Sequence, residues 1–259
     1  MTPILTNKHY EEPSVFSPVN LLREARRQKA LPIDVVPEIC VLDPDGDLFR
    51  RLRDSGVKPH PAWACYHTDL YCLQLGHESV GVVGCAVGAS FAVLVAEQLF
   101  ASGCQLLVSV TSAGQLVPAG SPPYFVLIDR ALRDEGTSYH YLPPAQYARI
   151  PKDMLDAAQT VLSGTIPVVR GGVWTTDAPF RETAEAVAFA RLENLLAVEM
   201  EAAALYAFAE ACGKSVVCFA HVTNRMGTVE NDFEKGEADG TKAFTELIAS
   251  LAEAWRAGL

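Results

Sequence analysis

Short β-rich apolar runs alternate with segments of helical composition along most of this chain, and that alternation limits the fold more than any other feature. The runs are Glu38-Ile39-Cys40-Val41-Leu42, Val80-Gly81-Val82-Val83-Gly84, Gln105 to Val110, Tyr124 to Ile128 and Ser215 to Ala220. Segments from Phe91 to Ser102, Lys152 to Ser163, Glu201 to Cys212 and Thr241 to Ala257 carry helical composition and period. Strands separated by helices are joined by crossovers, which predicts a mostly parallel, twisted sheet with helices on both faces. Prolines at positions 3, 13, 18, 32 and 37 surround a single helical pattern. Residues 1–36 therefore read as an arm and a helix packed on the body, and 37–259 as one domain. In open α/β sheets ligands collect at the carboxyl ends of strands, so the residues following each run are the candidate site.

Composition removes several classes of function. A net charge of -10 argues against nucleic acid or an anionic membrane surface as partner. Seven cysteines without paired CxxC spacing fit neither a disulfide framework nor a zinc site, and read as reduced thiols. The N-terminus lacks a basic-then-apolar signal pattern, and the apolar runs are too short to span a bilayer. The expectation is a cytoplasmic protein acting on a small molecule, with no metal and no resident cofactor.

Val198-Glu199-Met200-Glu201-Ala202-Ala203 sets two carboxylates around a methionine where an apolar run turns into an alanine-rich helix. A carboxylate in the first turn of that helix is favoured by free N–H groups and the dipole. Ionised, it can accept hydrogen bonds from two adjacent hydroxyls, as on a ribose. Solvated charges on an amphipathic helix are the competing reading. Gly46-Asp47-Leu48-Phe49-Arg50 offers backbone N–H groups and a guanidinium to an anion, or else forms an ordinary Asp/Gly turn with its arginines in solvent. In Ser109-Val110-Thr111-Ser112-Ala113-Gly114 a hydroxyl before a glycine lets the backbone approach a ligand closely. Asn224-Arg225 ends the last run, where an Asn either contacts a ligand or forms a turn.

Together these segments resemble the purine and uridine phosphorylase superfamily, over residues 38 to about 230. The resemblance implies a three-layer α/β/α sandwich with a mixed, mostly parallel central sheet, assembled as dimers, trimers or hexamers. It also implies phosphate as co-substrate in cleaving the N-glycosidic bond of a uridine- or 6-oxopurine-type nucleoside. Carried over residue by residue, it implies ribose contacts from Glu199, Met200 and Glu201. Gly46, Arg50 and Ser112 would hold phosphate, and Phe180, Asn224 and Arg225 the base, with Glu201, Asn224 and Arg50 as catalytic residues. Two departures stand out: Ser109 occupies the family's Arg position with Thr111 at its first Gly, and no Arg lies near Ala64 to His67, where a second family arginine is expected. Trp174 is a second aromatic that could stack on a base, or pack in the core, and Arg181 stands near the missing uridine-specific triplet. His140, beside two tyrosines, is read as structural, and Lys8-His9 as surface. Phosphorolysis is the expected reaction. A hydrolytic nucleosidase and a catalytically silent nucleoside binder are the alternatives.

Overall fold

The computed structural model describes residues 2–159, 164, 166–228 and 230–257. Nine strands form one mixed sheet: β1 (Ile39–Asp43), β2 (Tyr71–Leu75), β3 (Glu78–Gly84), β4 (Leu106–Gln115), β5 (Tyr124–Asp134), β6 (Tyr147–Arg149), β7 (Val168–Thr176), β8 (Leu195–Glu199) and β9 (Ser215–Asn224). The helices are α1 (Pro18–Lys29), α2 (Asp47–Asp54), α3 (Ala89–Ala101), α4 (Lys152–Ala158), α5 (Ala184–Leu192), α6 (Ala202–Cys212) and α7 (Thr241–Arg256). Residues 160–163 of the helix expected over Lys152 to Ser163 lie outside the described residues.

The pairing is mixed, as the α/β/α expectation required. β1 runs parallel to β3 and β4, β4 to β9, and β7 to β5 and β8, while β2–β3, β4–β8, β5–β6 and β5–β9 are antiparallel. These pairings close a ring of five strands, β4–β9–β5–β7–β8 and back to β4. Every residue of β1 and of β8 is buried, the signature of strands covered on both faces. On one side α3 packs against α1 and α6, with small residues Ala89, Ala92 and Ala96 fully buried. On the other, Arg51 of α2 donates to the Thr241 hydroxyl of α7 at 2.7 Å, and α7 packs on α4.

Several strands exceed the apolar runs that announced them. β4 continues to Gln115 because it pairs with β9 and, at Gly114 and Gln115, with β8. β5 continues through Arg130 and Arg133 because β7 and β6 flank it there. Trp174 is a core residue of β7, 4% exposed, its indole donating to Asp134 at 2.9 Å. The arm folds back on the body, with Lys8 Nζ 2.8 Å from His140 Nδ1, and α1 is capped by the Ser17 hydroxyl. Among the described residues no helix is long and apolar enough to cross a membrane.

Candidate functional site

The carboxyl ends of β4, β8 and β9 and the turns after β1 and β7 surround a cleft of about 420 Å³. Of the residues expected at the site, Ser112, Glu199, Met200 and Asn224 line it together. Gly46, Arg50, Glu201, Phe180 and Arg225 lie outside its wall.

Glu199 ends β8 as a buried carboxylate. One oxygen accepts from the amides of Glu201 (2.7 Å) and Ala202 (2.8 Å), and the other accepts a short hydrogen bond from the Thr175 hydroxyl. Glu199 therefore caps α6, satisfying amides that open the helix. Thr175 also accepts from the Ala203 amide at 3.0 Å, so β7, β8 and α6 are tied at one point. Burial raises the Glu199 carboxyl to about 7 against those hydrogen bonds.

Glu201 stands at the N-cap position, one residue before α6, rather than inside its first turn. It is 1% exposed. Oε1 accepts from the Gly88 amide at 2.6 Å, while Oε2 is buried with no hydrogen-bond partner. Burial, then the charge of Glu199, raises its carboxyl to about 8, against the Gly88 amide and the nearby Thr111 hydroxyl, which makes no hydrogen bond of ordinary geometry to Oε2. A buried orphan oxygen is costly unless something supplies a hydrogen-bond partner. Met200, between the two glutamates, lines the cleft.

Carboxylates crowd the turn after β1. Asp43, 2% exposed, accepts from the amides of Gly46 (3.1 Å) and Phe49 (2.9 Å), closing the start of α2. Burial raises its carboxyl to about 6, and the charges of Asp45 and Asp47 add to the rise. Asp45, in the cleft wall, accepts from the Ser112 amide at 2.6 Å. Asp47 accepts from Arg50 Nη2 at 3.0 Å and from Lys235 Nζ at 2.5 Å. Gly46 has φ +81°, and a Cβ there would meet Cys85 Sγ at 2.5 Å and Arg50 at 2.8 Å, so glycine is required. Ser109 is 1% exposed, between Leu42 of β1 and Cys218 of β9, and its hydroxyl has no partner.

On the opposite side of the cleft, the Asn224 amide is held by its surroundings. Oδ1 accepts from the Met226 amide at 2.9 Å, and Nδ2 donates to Thr223 Oγ1 at 3.2 Å. Gly114 keeps this corner open, since a Cβ would meet Met226 Sδ at 2.6 Å. Arg225 is exposed. Phe180 is fully exposed, while its neighbours Pro179 and Glu182 line the cleft. The aromatic ring in the wall is Phe233, joined there by Met226 and Lys235. These three come from the segment after β9, which returns to the site when the Glu234 amide donates to Thr223 O at 2.7 Å. The sequence reading passed over that segment because nothing in its local pattern marks it. Asp45 was visible between Pro44 and Gly46, yet it read as turn chemistry.

Comparison with known proteins agrees with this architecture. No functionally curated protein matches the chain. Uridine phosphorylase from Vibrio fischeri ES114 complexed with 6-hydroxy-1-naphthoic acid superposes with a TM-score of 0.65 at 17% identity, covering 85% of this chain and 88% of that one. A second structure of uridine phosphorylase from Vibrio fischeri ES114 gives 0.64 at 16% identity, covering 86% and 89%. At such identity the likeness is one of fold. The sequence model described as the phosphorylase superfamily matches residues 38–253, and the chain belongs to that superfamily.

Proposed function

We propose that the chain binds a uridine- or 6-oxopurine-type nucleoside in the cleft and cleaves its N-glycosidic bond. The observation that carries this reading is the orphan Oε2 of Glu201, adjacent in the chain to Met200 in the cleft wall. Vicinal ribose hydroxyls, which donate and accept, would supply the partner this oxygen lacks, with Met200 against the sugar. Asn224 and the ring of Phe233 would face the base, through the amide and by offset stacking. Phosphorolysis is the reaction that family membership favours, with Gly46, Arg50 and Ser112 on the phosphate. Hydrolysis is the second reading, supported by the burial of Ser109 in place of an arginine and by the carboxylates that engage Arg50 and Ser112. Assembly into a homo-oligomer is also proposed, supported by the exposed apolar side chains of Phe16, Val19, Ile33 and Val35, and sizing by light scattering tests it. For the reaction, uridine, inosine and their deoxy forms are incubated with the protein, with and without phosphate, and free base is measured. Base release that Glu201→Ala abolishes is the expected result, and no release from any of them would exclude glycosidic cleavage of these nucleosides.

A further inference from the structure

Asp43-Pro44-Asp45-Gly46-Asp47 places a carboxylate at every second residue of the turn after β1. Each carboxylate already holds donors that an incoming anion would need. Asp43 takes the amides of Gly46 and Phe49, Asp47 takes Arg50 and Lys235, and Asp45 takes the Ser112 amide at 2.6 Å. A phosphate dianion depends on such charge-assisted donors. Here it would meet three aspartates against two cations, Arg50 and Lys235, so ionised carboxylates outnumber the positive groups. Among these, Asp45 is the carboxylate in the cleft wall, and Ser112, which it engages, lines the cleft beside it.

We propose that Asp45 is the residue that determines the attacking group: its carboxylate fills the place a phosphate would take on Ser112, and water is the nucleophile. This inference rests on the nucleoside-cleaving reading and deepens it. In the step, the water oxygen bonds to the anomeric carbon as the carbon–nitrogen bond breaks. The bonding pair leaves with the base nitrogen, which ends with the proton that water loses, giving free pentose and free base. Removing the Asp45 carboxylate frees the Ser112 amide and lowers the negative charge around Arg50 and Lys235.

The test compares the wild-type protein with Asp45→Ala and Asp45→Asn. Inorganic phosphate is the probe, read by melting shift and by calorimetry at about 10 mM ligand, a range in which a millimolar site raises the melting point measurably. Wild type is expected to show no phosphate-dependent shift and both variants to gain one, with at least tenfold tighter phosphate binding. If the Ala variant fails to fold, the Asn variant decides, because it keeps the side chain's size while removing the charge that repels phosphate and weakening the hold on the Ser112 amide. In turnover, wild type is expected to give free pentose at a rate indifferent to phosphate. Phosphate binding by wild type, a folded variant that gains none, or turnover with an absolute phosphate requirement would overturn the proposal. Absence of base release under every condition would count against the proposed function, while the binding comparison would still decide the role of Asp45.

Discussion

Replacing Glu201 by Gln should change how stability depends on pH. In the folded chain the Glu201 carboxyl titrates at about 8 against an ordinary value of 4.5, because it is buried beside the Glu199 charge. A group whose folded pKa is raised binds its proton more tightly in the native state, so its contribution is full below pH 4.5 and disappears as pH climbs through 8. At about 1.4 kcal/mol per pH unit the rise corresponds to a ceiling of about 5 kcal/mol. Part of it belongs to Glu199, which titrates with Glu201, so about 2–3 kcal/mol is the share a single substitution should remove. For a chain of this size that is roughly 5–10 °C in melting temperature. Gln keeps an acceptor for the Gly88 amide and cannot ionise. Melting temperatures of wild type and Glu201→Gln, followed from pH 5 to pH 9, should diverge, the wild type falling more steeply between pH 5 and pH 8 and the two running parallel above that. Curves parallel throughout would refute the claim that Glu201 is a buried, proton-holding carboxyl.

His221, stacked on Phe125 with ring centroids 4.4 Å apart and lowered to about 4 by burial, acts in the opposite direction. Its contribution is complete above pH 6.5 and lost as pH falls toward 4, so between about 4.5 and 6.5 it offsets the loss from Glu201, and the net fall in stability should steepen above pH 6.5, which calorimetry across that range checks. Glu199→Ala strands the amides of Glu201 and Ala202 and the Thr175 hydroxyl, and should cost about 3 kcal/mol or more in urea unfolding, against about 2 kcal/mol for Thr175→Val. Gly84→Ala would set a Cβ 2.3 Å from that of Phe49, displacing α2; a loss of about 1–3 kcal/mol is expected, and unchanged stability would contradict the packing. Tyr206→Phe removes a hydroxyl that donates to Ile128 O at 2.7 Å and accepts from the Cys218 amide at 3.1 Å, with an expected cost of about 1–3 kcal/mol.

The α/β class was legible in the sequence because it rests on local properties. Apolar runs such as Ile39–Asp43 and the alanine-rich stretch that became α6 carry their preference within a few residues, and the Glu-Met-Glu segment marked the boundary between β8 and α6. The same locality explains the misses. β2 and β6 lie at the two ends of the strand order and are only partly buried, so little apolar pattern announces them. Phe180 read as a base-stacking ring, since an aromatic after a strand gives no sign of which way its turn faces. The structure leaves that ring in solvent and brings Phe233 to the cleft instead.

By itself, then, the sequence determined the strongly patterned strands and helices and which of their ends carry polar groups. Tertiary structure alone decided what those polar groups do. Glu199 became a helix cap because the register of β8 against β7 sets it opposite Thr175. Lys235 reached Asp47, 188 residues away in sequence, because the segment after β9 folds back. Asp45 came to hold the Ser112 amide because β4 lies beside β1. A hydrogen bond is indifferent to sequence separation and depends only on where the chain places its donor and acceptor, so local pattern fixes the elements and their packing fixes the partners.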